Sequence, residues 1–329
     1  MNILVTIPMD QAQKARLSAI APGAQVVYTP EPDRITAAQV AQAEIVLGNL
    51  PLPLLKHAKN LRWLQLNFAG SDNYCTAGLL APEVLLTNAT GAYGLAISEC
   101  MIAGILYHIK KLGAYRRNMD RHLWHDEGEV RSIEGSVTLV VGLGDIGSAF
   151  ARKMDALGSR VYGIRRHQTP CPDYLAGLYR MDRLEELLPL ADYVALSLPN
   201  SAATRNVIGK AQLEMMKPTA LLVNVGRGSA VDSDALTEAL NQGVIGGAVL
   251  DVVHQEPLPP EHPLWEAKNL LLTPHVTGNY NLPETKRRVV DLVLGNLEAY
   301  LHGGTLRNIV DRESGYRRFV PSENESGRR

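Results

Sequence analysis

The chain has 329 residues, 46% of them hydrophobic and 20% charged, with a formal net charge of −1. That length suits two domains that each bury a core, and the near-neutral balance gives no reason to expect a nucleic acid or an anionic membrane as partner. Three scattered cysteines, none in a C-x-x-C pair, argue against a disulfide framework or a metal site such as zinc and fit a reducing cytosol.

The opening M-N-I-L-V-T-I-P has no basic region ahead of its short apolar run, so it reads as a first strand rather than a signal peptide. No apolar run approaches membrane-spanning length, since residues 97–109 contain Glu99 and His108. A cytoplasmic protein is expected. Strand-like runs at 3–8, 25–28, 45–48, 61–67 and 84–87 alternate with helix-compatible segments at 11–20, 36–43 and 52–58. Such alternation implies a parallel sheet covered on both faces. After the run at 61–67 the sequence F-A-G-S-D sets Ala69, Gly70 and Ser71 at a C-terminal strand end, where these sheets bind ligands. Taken alone, the same loop reads first as a plain turn. The first unit closes near Ala92.

Residues 98–117 lack proline and carry a helical apolar pattern, which predicts one long helix joining two domains. Residues 116–129 are polar and charged around Trp124 and read as a loop or a partner-facing surface. The second alternating unit opens at 136–147, S-V-T-L-V-V-G-L-G-D-I-G. Its run at 137–141 fits a buried strand and is too short for a helix. Gly142, Gly144 and Gly147 follow in G-x-G-x-x-G spacing around Asp145 and Ile146, and a helix is predicted over 148–157. The first glycine permits a tight turn, the second lets the backbone approach a pyrophosphate, and the third lets helix pack on strand. Helix-start N–H groups would hold the diphosphate. Further strands are predicted at 160–164, 192–198, 220–224, 245–250 and 270–273, with helices at 183–188, 210–216 and 233–241. A helix at 282–302 returns to the first domain, and the tail at 321–329, devoid of apolar residues, is expected to be disordered.

The second strand of a dinucleotide fold usually ends in a carboxylate that binds the ribose 2′-OH of NAD. Here it ends V-Y-G-I-R-R-H, so Arg165 and Arg166 occupy that region. Guanidinium groups bind a 2′-phosphate that a carboxylate would repel, which predicts NADP(H) as the preferred cofactor with NAD(H) possible. Three further residues lie at or beyond strand ends: Arg227 in L-V-N-V-G-R-G-S, Glu256 in D-V-V-H-Q-E-P-L-P and His275 in L-T-P-H-V-T-G. Loops at one edge of a parallel sheet converge. Together the three suit a 2-keto acid: Arg227 binds the carboxylate and polarises the carbonyl, His275 donates a proton as hydride arrives, and Glu256 holds the imidazole.

The stretches G-L-G-D-I-G, N-V-G-R-G, D-V-V-H-Q-E-P-L-P-P-E-H-P-L-W and T-P-H-V-T-G resemble the D-isomer-specific 2-hydroxyacid dehydrogenase family, above all its NADP-dependent glyoxylate/hydroxypyruvate reductases. The resemblance implies an α/β fold of two doubly wound parallel-sheet domains, with the active site in the cleft between them. A flavodoxin-like substrate domain would take residues 1–93 and 281–329, and a Rossmann NAD(P)-binding domain residues 94–280. It implies a homodimer, and gives Arg227, Glu256 and His275 the catalytic roles just argued. Ala69, Gly70 and Ser71 fall on the family's substrate-carboxylate loop. Asp251 falls where the nicotinamide carboxamide is contacted. Leu198, Pro199, Thr204, Val225, Gly226 and Gly278 join the cofactor-binding set. Asp145 replaces an arginine that many members carry, so one cationic contact near the pyrophosphate is expected to be missing. Glu256 with His275 separates the chain from formate dehydrogenases, which pair Gln with His, and Ala69 stands where phosphite dehydrogenases carry Lys. Two alternatives stay open: an NAD-preferring D-lactate-like dehydrogenase, and a nucleotide-sensing corepressor built on the same fold.

Overall fold

The computed structural model describes residues 1–167, 169–313 and 315–318, so the expected disorder at 321–329 lies outside the described residues. The chain divides into two compact units, Met1–Ala92 with Pro283–Arg329, and Tyr93–Leu282.

In the first unit five parallel strands, β1 (Asn2–Val5), β2 (Gln25–Tyr28), β3 (Ile45–Leu47), β4 (Trp63–Gln65) and β5 (Leu85–Thr87), lie in the order β2-β1-β3-β4-β5. This is the flavodoxin-like doubly wound order. Every residue of β3 and β4 is buried, as parallel strands covered on both faces require. The helices begin where the sequence supplies caps. Asp10 accepts the Gln13 N–H at 2.8 Å and its own N–H donates to the Gln13 side chain at 3.0 Å, opening α1 (Gln11–Ile20). Thr36 and Gln39 repeat the device before α2 (Ala37–Gln42); each such cap is worth about 1 kcal/mol. The helix predicted at 52–58 is instead a 3₁₀ helix, Leu52–His57, closed by short-range bonds such as Leu54 N–H to Pro51 O at 2.9 Å. Pro53 cannot donate, which favours this tighter, shorter form.

The second unit opens with α3 (Gly94–Ile109) and α4 (Leu112–Asp120), not with one continuous helix. Lys111 adopts φ 55° between them. No proline marks the break, which is held by contacts distant in sequence: the Lys111 ammonium donates to the Glu127 carbonyl, and Arg131 N–H donates to Ile109 O at 3.1 Å. Seven parallel strands follow: β6 (Val137–Val141), β7 (Arg160–Ile164), β8 (Gly177–Tyr179), β9 (Tyr193–Leu196), β10 (Leu221–Asn224), β11 (Gly247–Leu250) and β12 (Leu270–Leu272). Their order, β12-β11-β10-β9-β6-β7-β8, is that of a dinucleotide-binding fold with its switch point between β6 and β9. Strand β8 is absent from the sequence reading; three residues, one of them glycine, carry too little alternation to announce a strand. The covering helices are α5 (Asp145–Ala156), α6 (Leu184–Leu187), α7 (Lys210–Met215) and α8 (Ser233–Gln242). Helix α5 starts at Asp145 rather than Ser148, because the N–H of Ser148 already bonds to Gly144 O at 3.0 Å.

The chain then returns to the first unit through α9 (Pro283–Leu301), whose Val289, Val290, Val293, Leu294 and Leu297 are fully buried. Tyr300 stacks on Trp63 with ring centroids 4.9 Å apart, and Asn296 donates to the buried Gln65 Oε1 at 2.7 Å. Thr87 donates to the same oxygen at 2.7 Å and accepts from Trp63 Nε1 at 2.8 Å. Removing one partner of such a buried network costs about 1–3 kcal/mol. A two-stranded antiparallel pair, β13 (Val310–Asp311) and β14 (Tyr316–Arg317), follows. Among the described residues no helix is long and apolar enough to cross a membrane.

Candidate active site

The glycine loop joins β6 to α5 at the switch point. Gly142 has φ +101°, a region closed to most side chains, and a methyl group there would meet Ser197 O at 2.8 Å. At Gly147 a Cβ would lie 1.9 Å from Gly142 O, so helix and loop touch only because the side chain is missing. Around Gly144 a Cβ would meet nothing within 4 Å. That clearance sits at the start of α5, where backbone N–H groups and the helix dipole favour a phosphate. The three positions thus divide the work as a pyrophosphate cradle requires. On the other side of the switch point, after β9, Ser197 Oγ donates to Gly142 O at 2.5 Å, which fixes Leu198 and Pro199 beside the loop. Thr204 staples this segment through Pro199 O at 2.7 Å. Asp145 spends its carboxylate on the N–H of Gly94, at 2.9 Å, so it caps the first turn of α3. Arg165 and Arg166 follow β7; Arg165 Nη1 donates to Thr169 Oγ1 at 2.9 Å.

The three charged or titratable residues singled out from the sequence follow three adjacent strands. Arg227 lies beyond β10, Glu256 beyond β11 and His275 beyond β12. Arg227 is half-buried, its Nη1 donating to Gly226 O at 2.9 Å. The buried Asn224 accepts from Gly226 N–H at 3.1 Å and donates to Arg227 O at 3.0 Å, setting the backbone on both sides of Val225 and Gly226. Gly228 lets this loop meet the next one: a Cβ there would fall 1.9 Å from the Val253 carbonyl. Val253 N–H in turn donates to Glu256 Oε1 at 3.1 Å, and Glu256 Oε2 lies 2.7 Å from His275 Nδ1. With Nδ1 engaged, Nε2 is the ring nitrogen left for a substrate.

His275 has φ 53°, an uncommon conformation for a residue with a side chain, and the local structure holds it there. Its N–H donates to Asp251 O at 2.8 Å. The buried Asp251 carboxylate accepts from Thr273 Oγ1 at 2.6 Å, Val276 N–H at 3.0 Å and Thr277 Oγ1 at 2.5 Å. Asp251 therefore anchors the turn that presents His275. Gly278 ends that turn, with a Cβ there 3.2 Å from Ile97 of α3. Asn224, Gly228, Thr273 and Thr277 were not singled out from the sequence. The one local signal was their place inside the motifs N-V-G-R-G and T-P-H-V-T-G.

In the first unit, Ala69, Gly70 and Ser71 follow β4. Ala69 O accepts from Asn88 Nδ2 at 2.8 Å, and the buried Ser71 hydroxyl donates to Gly315 O at 3.0 Å. Ser71 thus spends its side chain on the fold.

Residues 102–277 match the model of the D-isomer specific 2-hydroxyacid dehydrogenase NAD binding domain. A glyoxylate reductase of Korarchaeum cryptofilum is 40% identical over 303 residues, covering 86% of this chain and 87% of its own. Among solved structures, a D-isomer specific 2-hydroxyacid dehydrogenase family protein from Aeromonas salmonicida superposes with a TM-score of 0.83 at 28% identity, covering 94% of this chain and 99% of its own. The NADPH-dependent glyoxylate/hydroxypyruvate reductase of Sinorhizobium meliloti, solved with NADP and sulfate, does so with a TM-score of 0.81 at 25% identity, covering 96% of this chain and 99% of its own. A glycine cradle at the switch point, an imidazole–carboxylate pair farther along the same sheet edge, and likeness running almost end to end agree, and the chain belongs to the D-isomer specific 2-hydroxyacid dehydrogenase family.

Proposed function

We propose that the protein is an NADPH-preferring reductase that converts a small 2-keto acid, glyoxylate or hydroxypyruvate foremost, into the D-2-hydroxy acid. The observation that carries this reading is the 2.7 Å bond between Glu256 and His275, set on the same sheet edge as Arg227. Family membership makes it an NAD(P)-dependent 2-hydroxyacid dehydrogenase; the residue roles, the substrate and the cofactor preference are this proposal's own. The hydride comes from the reduced nicotinamide when the cofactor is bound, and it adds to the carbonyl carbon. His275 gives the Nε2 proton to the carbonyl oxygen, so the keto acid is reduced to the alcohol as the cofactor is oxidised. Glu256 accepts from Nδ1 and orients the imidazole. Arg227 offers a planar donor fork to the substrate carboxylate and polarises the carbonyl. Backbone donors at Ala69, Gly70 and Ser71 would hold the same carboxylate. Asp251, besides anchoring the His275 turn, would face the carboxamide, beside Leu198, Pro199, Thr204, Val225, Gly226 and Gly278. We also infer a cytosolic homodimer; all three cysteines are free thiols.

Nicotinamide absorbance, followed with NADPH or NADH against a panel of 2-keto acids, tests the reading. Turnover with glyoxylate or hydroxypyruvate and NADPH is expected, and no turnover with any pair would sink it. Arg165→Asp is expected to weaken NADPH use far more than NADH use, since a carboxylate there repels a 2′-phosphate. Equal losses would reject the cofactor assignment.

A further inference from the structure

Past β7 the chain presents Arg165, Arg166, His167 and Thr169 in sequence. Strand β8 pairs with β7, Ile164 opposite Tyr179, and Arg165 N–H donates to Tyr179 O at 3.0 Å. That pairing brings Arg180, one residue beyond β8, beside the same strand end. Thr169 fixes one arm of the Arg165 fork. Arg166 Nε–H donates to His167 Nε2, with the two nitrogens 3.1 Å apart. A ring nitrogen that accepts a hydrogen bond carries no proton, so this imidazole is in its neutral form.

Resting on the cofactor reading above, we propose that His167 is the proton-accepting member of a 2′-phosphate subsite shared with Arg165, Arg166 and Arg180, so that NADPH binds together with a proton and NADH does not. Three cationic groups act on the imidazole: Arg165 and Arg166 from the end of β7, and Arg180 from the end of β8. Its pKa is lowered from the ordinary value by desolvation and, after that, by Arg166, Arg165 and Arg180. A phosphate monoester carries about −1.5 to −2 charges near neutral pH. Its arrival offsets the guanidinium groups and places an anion where both ring nitrogens can donate. The Arg166–His167 bond then gives way, and the imidazole takes a proton from solvent. His167 and Arg180 thereby become specificity-determining residues alongside the two arginines read from the sequence.

Titration calorimetry of the intact protein, run in buffers of different protonation enthalpy, measures the protons taken up. At about pH 7.5 the free 2′-phosphate is already largely dianionic, so uptake reports on the protein. NADPH is expected to bind with uptake of a fraction of a proton per site, and NADH with none. In His167→Gln the uptake is expected to vanish while NADPH binding weakens about two- to fivefold, the scale of an exposed charge pair. Arg180→Gln is expected to weaken NADPH by a similar factor and leave NADH unchanged. Unaltered uptake in His167→Gln, or none in the wild type while NADPH is still preferred, would overturn the subsite and leave the cofactor reading standing. Equal affinity of the wild type for NADPH and NADH would remove both.

Discussion

His275 commits Nδ1 to Glu256, and Asp251 with Thr273 and Thr277 holds its backbone in a left-handed turn. In the proposed mechanism, proton transfer to a substrate oxygen would therefore run through Nε2. His275→Ala is expected to lower kcat about 10²–10⁴-fold while leaving dinucleotide affinity, measured by calorimetry, close to that of the wild type. Most of the residues proposed to touch a ligand were singled out in the sequence because they sit in short motifs at strand ends. Asn224, Gly228 and Thr277 were not. Asn224 bonds to Arg227 O within its own turn, Gly228 makes room for Val253, and Thr277 bonds to the Asp251 carboxylate, roles that no spacing pattern announces.

Helix α3 shows how an element's own burial becomes a pH dependence. His108, near its C-terminal end, lies 3.1 Å through Nε2 from Ala248 O of β11, and Tyr107 meets its ring edge-on. The main cause acting on it is desolvation, which lowers its pKa below the ordinary 6.5; the Ala248 bond opposes this and Arg131 reinforces it. The folded protein therefore keeps the imidazole neutral, whereas the unfolded chain takes up a proton as pH falls below 6.5. This contribution to stability is complete above that pH and is lost progressively below it. Melting temperatures measured from about pH 7 down to about pH 5 should fall more steeply for the wild type than for His108→Gln; parallel curves would contradict the assignment. The same helix marks where sequence patterning runs out. Strands β2, β6 and β7 and helix α1 have the bounds their apolar runs predict, because each is bounded by its own turn or cap. The break at Lys111 and the three-residue strand β8 are decided by packing partners far away in sequence, so local pattern alone could not show them.

At the scale of the whole molecule, the net charge of −1 gives no field that would keep copies apart, and large apolar side chains stand exposed within one charged stretch of the second unit. Along α4 and the segment after it, Leu112 is 50% exposed, Met119 67%, Leu123 50% and Trp124 103%. Large side chains left exposed within so short a stretch point to an interaction site. The charges along this stretch carry both signs: Arg116 pairs with Asp120 at 2.8 Å, beside Arg117 and Arg121, and Asp126, Glu127 and Glu129 follow. A two-fold axis through this stretch would cover the tryptophans of both copies. The occupant this favours is a second copy of the chain. Sedimentation at micromolar concentration should find a dimer for the wild type, and Trp124→Glu should shift it to monomer by placing a charge in the apolar centre, where hot-spot truncations typically cost about 2 kcal/mol or more. A wild type that sediments as a monomer, or a Trp124→Glu variant that stays dimeric, would exclude this face as the contact.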